Sequence, residues 1–167
     1  MKKKKVLFVC LGNICRSPSA EAVLKKLLKN ENLENKIEVD SSGTIDYHEG
    51  EPSDKRMQMH AAKRGYVLDH IARKFNSEKD FAESDYIITM DNMIYNDVIT
   101  LDVKKQFRSK IFKMSQFSGN IKFDEVIDPY YLGTEGFEKV LDILEDSSKV
   151  LLNRIKDDIE SENKIRN

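Results

Sequence analysis

The sequence predicts an α/β fold in which helices cover both faces of a parallel β-sheet. Short apolar runs typical of buried strands alternate along the chain with longer segments that have helical periodicity. The first run, Val6–Cys10, is apolar without interruption, as expected of a strand buried on both faces. With 167 residues, 40% of them hydrophobic and 34% charged, we expect one globular domain spanning residues 1–167.

The first strand and first helix are predicted from adjacent signals. Residues 1–5 form a basic tail ahead of the Val6–Cys10 strand. Such a beginning is also typical of secretory signals, but here the apolar run ends at Leu11 and no small-residue cleavage site follows. Pro18 suits the first position of a helix with Ser17 as its N-cap, and apolar residues then recur at helical spacing to about Asn30.

The later elements continue the alternation of strands and helices. Strands are predicted at Ile37–Ser41, Ser84–Met90 and Ile111–Met114, and helices at Ser53–Arg64, Asp91–Ile99 and about Thr134–Ile159. Gly65 is placed to end the second helix, and Phe137, Val140 and Leu144 lie on one face of the last. Residues 161–167 are expected to be frayed, and the stretch Ser115–Phe123 has no clear pattern.

Charge and cysteine content limit the classes of partner. With 28 basic and 29 acidic residues the net charge is −1, which favours neither nucleic acid nor an anionic membrane surface. We find no apolar run near the roughly 20 residues of a membrane span, so we expect no membrane insertion. The only two cysteines are Cys10 and Cys15, and we expect a cytoplasmic protein in which both are reduced.

The loop from Cys10 to Arg16 joins the first strand to the first helix and has the features of an anion site. In parallel sheets ligands bind beyond the carboxyl ends of the strands, where Cys10 lies. Backbone N–H groups and the positive end of the helix can hold a phosphate, and Gly12 permits a close approach or a positive φ. Arg16 offers a planar fork that matches two phosphate oxygens.

The same loop would stabilise a thiolate, and we therefore expect Cys10 to be an ionised nucleophile at neutral pH. The plainer alternative is that Cys10 only ends a buried strand and Arg16 is a surface charge. An ATP-type phosphate loop is excluded because no Gly-Lys-Ser/Thr follows. Zinc is not expected, since the three histidines lie ten or more residues apart and offer no second ligand pair.

The segment VCLGNICRSP, residues 9–18, resembles the signature loop of the low-molecular-weight protein tyrosine phosphatases. The resemblance continues through Ser41 and Gly43, then DHIAR at 69–73, DYIITMD at 85–91 and DPYY at 128–131. It implies a four-stranded parallel sheet of order 2-1-3-4 in a phosphatase I-like three-layer sandwich. It also implies hydrolysis of phosphotyrosine in proteins, and acid phosphatase activity on small aryl phosphates, through a cysteinyl-phosphate.

The resemblance assigns roles to individual residues. Cys10 would be the nucleophile, Arg16 would hold the phosphoryl group and Asp128 would be the general acid and base, although Asp-Pro is also a common turn dipeptide. The implied phosphate- and substrate-binding residues are Leu11, Gly12, Asn13, Ile14, Cys15, Ser17, Tyr47, Tyr130 and Tyr131. Ser17 is placed to hydrogen-bond the thiolate, while Asn13, Ser41 and His70 would support the loop.

Cys15 is close enough along the loop to trap an oxidised Cys10 as a reversible disulfide, and the resemblance implies that role; the alternative is packing alone. No cofactor and no metal are expected. The expected partners are phosphotyrosine proteins as substrates and phosphate or other oxyanions as product or inhibitor, with the chain a monomer or weak dimer.

Two other functions fit parts of the pattern. Thioredoxin-coupled arsenate reductases resemble the loop but need cysteines later in the chain, and none follows Cys15. A silent phosphate-binding module would need neither Cys10 nor Asp128.

Overall fold

The structure is a computed structural model that describes residues 2–167. Its strands are β1 (Lys4–Cys10), β2 (Ile37–Gly43), β3 (Tyr86–Thr89) and β4 (Ile111–Lys113). Its α-helices are α1 (Arg16–Asn30), α2 (Lys55–Lys63), α3 (Ser77–Glu83), α4 (Asn92–Leu101) and α5 (Thr134–Arg166). Short 3-10 turns occur at Arg108–Lys110, Met114–Phe117 and Pro129–Tyr131.

The four strands form one parallel sheet in the order β2-β1-β3-β4, which confirms the predicted architecture and strand order. Crossing from β2 over β1 to β3 reverses the direction in which strands are added, and this creates a switch point beside β1. Cys10 pairs with Gly43 at the end of the β1–β2 register. The carboxyl end of β1 therefore lies at the edge where this architecture binds ligands.

The core divides into layers because β1 is buried on both faces. Val6 and Phe8 pack with the apolar stripes of α1 and α5, whereas Leu7 and Val9 pack with residues of α3 and α4. All four of these β1 side chains are fully buried. A third cluster joins α2 to α5 and reaches Ile14 in the loop after β1.

The observed elements differ from the predicted ones at several ends. Helix α1 begins at Arg16, so the prediction that Ser17 is its N-cap is wrong; Cys15 occupies that position without a side-chain cap. Lys4 and Lys5 belong to β1, which shortens the basic tail. Helix α5 continues to Arg166, so the segment expected to fray is helical almost to its end.

Helix α3 had no counterpart among the predicted elements. It has only 7 residues, too few for a clear periodic pattern, although the Asn76 side chain accepts hydrogen bonds from two backbone N–H groups at its start. Phe81 anchors the helix against Phe75 and Phe107. In the described residues 2–167, no helix combines the length and apolar character that crossing a bilayer requires.

The stretch Ser115–Phe123 begins in the 3-10 turn Met114–Phe117, and its middle part is held by a side chain distant in the sequence. The carboxylate of Asp146, on α5, accepts hydrogen bonds from the N–H groups of Gly119, Asn120 and Ile121 at 3.0–3.1 Å. These bonds lower the pKa of Asp146 despite an opposing contribution from burial. A turn held by one residue of another element has little local sequence signal.

Candidate active site

The loop from Cys10 to Arg16 is held by backbone N–H groups of neighbouring segments that donate to its carbonyl oxygens. The bonds run from Thr44 N to Cys10 O (3.0 Å), from Ile45 N to Leu11 O (3.2 Å) and from Asp54 N to Ile14 O (2.9 Å). In a trans peptide the carbonyl and the following N–H point in opposite directions. Fixing these oxygens outward therefore turns the next N–H groups toward the inside of the loop, where they can bind an anion.

Two glycines allow the close packing that this loop needs. A Cβ on Gly12 would lie 2.9 Å from Cδ2 of His48, and one on Gly43 would lie 2.6 Å from the carbonyl oxygen of Leu11. Gly12 thus serves close approach; the left-handed backbone of the loop is at Asn13, with φ of 59°. Asparagine is one of the few residues that tolerate that conformation.

The buried side chain of Asn13 holds the loop together from beneath. Its Nδ2 donates to Ser17 Oγ at 2.7 Å and to Ser41 Oγ at 3.0 Å. Its Oδ1 lies 2.8 Å from His70 Nε2 and accepts from the Arg73 backbone N–H at 3.0 Å. All four hydrogen-bonding positions of the amide are therefore used. The structure brings Asn13, Ser41 and His70 together, as the resemblance implied.

Glu21 extends this support. Its Oε1 accepts from Ser41 Oγ at 2.8 Å and lies 3.1 Å from His70 Nδ1. Burial favours a raised pKa, but hydrogen bonds from His70 and Lys25 outweigh it and lower the pKa of Glu21. Ligand-type atoms of Glu21, Asp40 and His70 lie within 4.8 Å of one another, a spacing compatible with a metal ion, but these atoms are engaged in the hydrogen bonds and ion pairs that support the loop.

Cys10 is almost fully buried at the base of a cavity. Its Sγ lies 2.9 Å from the Oγ of Ser17. Ser17 Oγ also accepts from Asn13, and its own proton can be donated either to the Cys10 sulfur or to Ser42 O, which lies 3.4 Å away.

Arg16 reaches from the start of α1 into the same cavity. Its NH1 donates to Asp91 Oδ2 at 2.6 Å and to Val126 O at 3.0 Å, and its NH2 lies 3.5 Å from Asp128 Oδ2. Burial opposes the charge, but Cys10 and the two aspartates outweigh it and raise the pKa of the guanidinium. Arg16 is thus a fixed positive charge whose orientation is set by Asp91 and Val126.

Asp128 lines the same cavity and is partly exposed. Its Oδ1 accepts from the Tyr130 backbone N–H at 3.0 Å and so caps the Pro129–Tyr131 turn. Its Oδ2 is the oxygen that faces Arg16. The Asp-Pro turn therefore holds one carboxylate oxygen and presents the other to the cavity.

The cavity itself has a volume of about 300 Å³. Its lining includes Cys10, Arg16 and Asp128, together with Tyr47, Tyr130 and Tyr131 at the entrance. Asn13, Ser17, Ser41 and His70 are absent from the lining because they lie behind the loop. The predicted site residues thus separate into a layer that faces the cavity and a layer that supports it.

The entrance is formed by exposed aromatic rings. Tyr47 and Tyr131 are 78% and 86% exposed, and the ring centroids of Tyr130 and Tyr131 are 4.9 Å apart in an edge-to-face arrangement. The guanidinium of Arg56 lies 5.2 Å from the centre of the Tyr130 ring. These rings form walls that an aromatic group could pack between.

Several site residues were missed in the sequence. His48 lines the cavity, packs on Gly12 and contacts Glu51 through Nδ1 at 2.7 Å. Asp91, which holds Arg16, lies two residues after the end of β3, and the shared edge of parallel strand ends could have identified it. Arg73 had no local signal, because its backbone N–H is what contacts the loop.

Cys15 lies in the same loop, but its environment is different. It belongs to the buried cluster with Met57 and Phe137, and burial, with help from the charge of Asp54, raises the pKa of its thiol. Both cysteines are free. Cys15 is thus a neutral thiol at neutral pH, unsuited to be the primary nucleophile.

Comparison with known proteins gives one consistent result. A family model described as "Low molecular weight phosphotyrosine protein phosphatase" matches residues 5–161. A Gallus gallus protein of the same name is 41% identical over 138 residues, which are 82% of this chain and 86% of that protein. The crystal structure of a protein tyrosine phosphatase from Entamoeba histolytica superposes with a TM-score of 0.90 at 48% identity, covering 93% of this chain and 98% of that one.

A further structural relative carries a different substrate in its name. The arginine phosphatase of Drosophila superposes with a TM-score of 0.84 at 32% identity, covering 91% of this chain and 98% of that one.

Proposed function

Because the chain belongs to the low molecular weight phosphotyrosine protein phosphatase family, we propose that it hydrolyses phosphotyrosine in proteins, and small aryl phosphates, through a cysteinyl-phosphate. The observation that carries the proposal is one cavity that holds the Cys10 thiol, the Arg16 guanidinium and the Asp128 carboxyl group. These are the nucleophile, the phosphate ligand and the acid that phosphoryl transfer to a thiol requires.

In the first step the Cys10 thiolate attacks phosphorus in line with the leaving oxygen. A phosphorus–sulfur bond forms while the bond from phosphorus to the tyrosine oxygen breaks. Protonated Asp128 donates its proton to that oxygen, because tyrosine, with a pKa near 10, is a poor leaving group as the anion. Arg16 and the loop N–H groups hold the charge on the remaining phosphoryl oxygens.

In the second step Asp128, now a carboxylate, accepts a proton from an attacking water. The new phosphorus–oxygen bond forms, the phosphorus–sulfur bond breaks and inorganic phosphate is released. Cys10 leaves as a thiolate, and the Ser17 hydroxyl 2.9 Å away stabilises it. Each cycle returns both Cys10 and Asp128 to their starting protonation states.

The entrance supports an aromatic phosphate as substrate. The tyrosine walls can hold a planar ring with its phosphate at the loop, whereas a short phosphoserine side chain would reach the thiolate poorly. Since one relative is named an arginine phosphatase, phosphoarginine is the informative competitor.

Initial rates with phosphotyrosine, phosphoserine and phosphoarginine peptides of one sequence, without added metal, test the substrate class. We expect phosphotyrosine to be hydrolysed with the highest kcat/KM. Preference for phosphoarginine would overturn the substrate assignment while leaving the mechanism intact, and wild-type inactivity on every substrate would favour a silent binding module.

Two variants test the mechanism on phosphotyrosine. Cys10→Ser should lower kcat by at least about 10⁴-fold, since nucleophiles of this kind contribute that much or more. Asp128→Ala should lower it by roughly 10²–10⁴-fold, whereas Asp124→Ala, an exposed carboxylate in the same loop, should retain wild-type activity. Full activity in Cys10→Ser would exclude the cysteinyl-phosphate route, which rapid-quench labelling with a radioactive aryl phosphate can observe directly.

We further propose that Cys15 protects an oxidised Cys10 through a reversible disulfide, and that the protein acts in the cytoplasm as a monomer or weak dimer. The presence of both cysteines in one loop supports the redox role. Cell fractionation and sedimentation measure the location and the oligomeric state.

A further inference from the structure

Residues 70–75 run beside the end of β2 and bring Arg73 to the phosphate loop. Gly43 N donates to Arg73 O at 2.9 Å, and Phe75 N donates to Gly43 O at 2.7 Å. These two bonds fix the backbone at Arg73, whose own N–H donates to Asn13 Oδ1. His70, which makes the other contact to Asn13 Oδ1, lies in the same segment, so the position of this segment determines both contacts.

The side chain of Arg73 anchors this segment to two other elements. Its NH1 and NH2 donate to the two carboxylate oxygens of Asp80 at 3.0 Å each, and its NH2 also donates to Asp40 Oδ2 at 2.9 Å. We call Asp40, Arg73 and Asp80 the Arg73 clamp. It ties the segment to β2 through Asp40 and to α3 through Asp80.

The geometry of the clamp favours a single arrangement. Asp80 is fully buried, and it also accepts from Asn76 N at 2.8 Å. A buried carboxylate requires its cation, and a two-point contact with guanidinium fixes direction as well as distance. Burial opposes the charge of Arg73, yet Asp80 and Asp40 outweigh it and raise its pKa, so Arg73 stays positively charged throughout the neutral range.

We propose that the Arg73 clamp is a positioning element for the catalytic loop. It fixes the N–H of Arg73 and the ring of His70 against Asn13; Asn13 in turn orients Ser17, whose hydroxyl contacts the Cys10 sulfur. Asp80, a residue of α3 with no place in the cavity lining, thereby affects the reactivity of Cys10. This inference rests on the proposed role of Cys10 as the nucleophile.

Arg73→Met tests the clamp, because it removes the guanidinium but keeps the backbone N–H that contacts Asn13. Arg108→Met is the matched control: Arg108 also donates to a buried aspartate, Asp102, at 3.3 Å, and its other hydrogen bond goes to the carbonyl of Ile99 on α4. Arg73→Lys is the conservative variant, since it keeps a positive charge beside Asp80 without the two-point contact.

Two measurements separate positioning from stability. Urea unfolding reports stability, and the rate of Cys10 alkylation by iodoacetamide against pH, mapped by mass spectrometry, reports thiolate formation without requiring turnover. We expect both Met variants to be less stable, but only Arg73→Met to move the alkylation midpoint upward, by about one pH unit for the loss of one charge-assisted contact at sulfur. Its kcat should fall by about tenfold with KM changed less than twofold.

Arg73→Lys should shift the midpoint in the same direction by a smaller amount, and it decides the question if Arg73→Met does not fold. The proposal is overturned if both Arg73 variants lose stability while their alkylation midpoints and kcat match those of Arg108→Met. A wild-type midpoint equal to that of a free cysteine would instead contradict the role of Cys10, so the two failures are distinguishable.

Discussion

The two ends of the cavity are built in different ways. At the phosphate end, the loop from Cys10 to Arg16 is held by backbone bonds from outside and by a buried polar network centred on Asn13. At the entrance, Tyr47 and Tyr131 are mostly exposed, and the Tyr131 ring contacts that of Tyr130 edge to face. From this difference we infer that the phosphate loop is already in its binding conformation before substrate arrives, whereas the entrance can adapt to the group that carries the phosphate. Substitutions at the two ends should therefore affect different kinetic constants.

The largest effect is expected when an arginine is replaced by lysine at the phosphate end and, for comparison, at the entrance. Arg16→Lys should lower kcat by roughly 10²–10³-fold, because an ammonium cannot replace a planar fork that is held by Asp91 and Val126 while facing the phosphate. Arg56→Lys, beside Tyr130 at the entrance, should leave kcat within about twofold. Equal losses of kcat in the two variants, measured on one phosphotyrosine peptide, would break the distinction between the two ends.

A second test concerns the two cysteines of the loop. Peroxide converts the Cys10 thiolate to a sulfenic acid, and the Cys15 thiol can then displace water from it to form a disulfide. We expect dithiothreitol to restore most activity to oxidised wild type but at least about tenfold less to oxidised Cys15→Ala, where overoxidation proceeds. Intact mass should show the loss of two hydrogens in wild type alone. Equal recovery by both proteins would leave Cys15 a packing residue, as its place in the core cluster also allows.

The smallest expected effect is at the entrance. Tyr131→Ala should raise KM for a phosphotyrosine peptide about fivefold, since one aromatic contact contributes about 1 kcal/mol, with kcat little changed. Inhibition by inorganic phosphate should stay at the wild-type level because the loop is intact. A fall in kcat or a loss of phosphate inhibition would show that the entrance and the loop are not independent. Tyr131 is 86% exposed, so a change in folding stability is not expected.

The junction of β1, loop and α1 could be predicted because its signals are contiguous. The apolar strand, Gly12, Arg16 and Pro18 lie within 15 residues and favour one geometry. Even there the helix start was misplaced, because the Ser17 hydroxyl that suits an N-cap contacts Cys10 and Asn13 instead. Tertiary contacts took precedence over the local preference.

Other features could not be found locally because their partners are distant in the chain. Asp91 contacts Arg16 across 75 positions, and Asp146 holds the turn at Gly119–Ile121 from α5. Arg73 contacts the loop through its backbone N–H, and the identity of a side chain does not indicate such a contact. The strand order was predicted correctly from the resemblance of the motifs to a known family. The alternation of strands and helices alone is compatible with several strand orders.

The capping bond from the Tyr130 N–H to Asp128 has a consequence for selectivity. Asp128, the proposed acid, and Tyr130 lie two positions apart on one short turn, and the Asp128 carboxylate holds the backbone N–H of Tyr130. A shift in the backbone of this turn would therefore move both side chains. A substrate that fits poorly and displaces the backbone at Tyr130 would also move the Asp128 carboxyl group away from the leaving-group oxygen. Selectivity among substrates would then appear in kcat as well as in KM, because a substrate that fits poorly would also displace the acid.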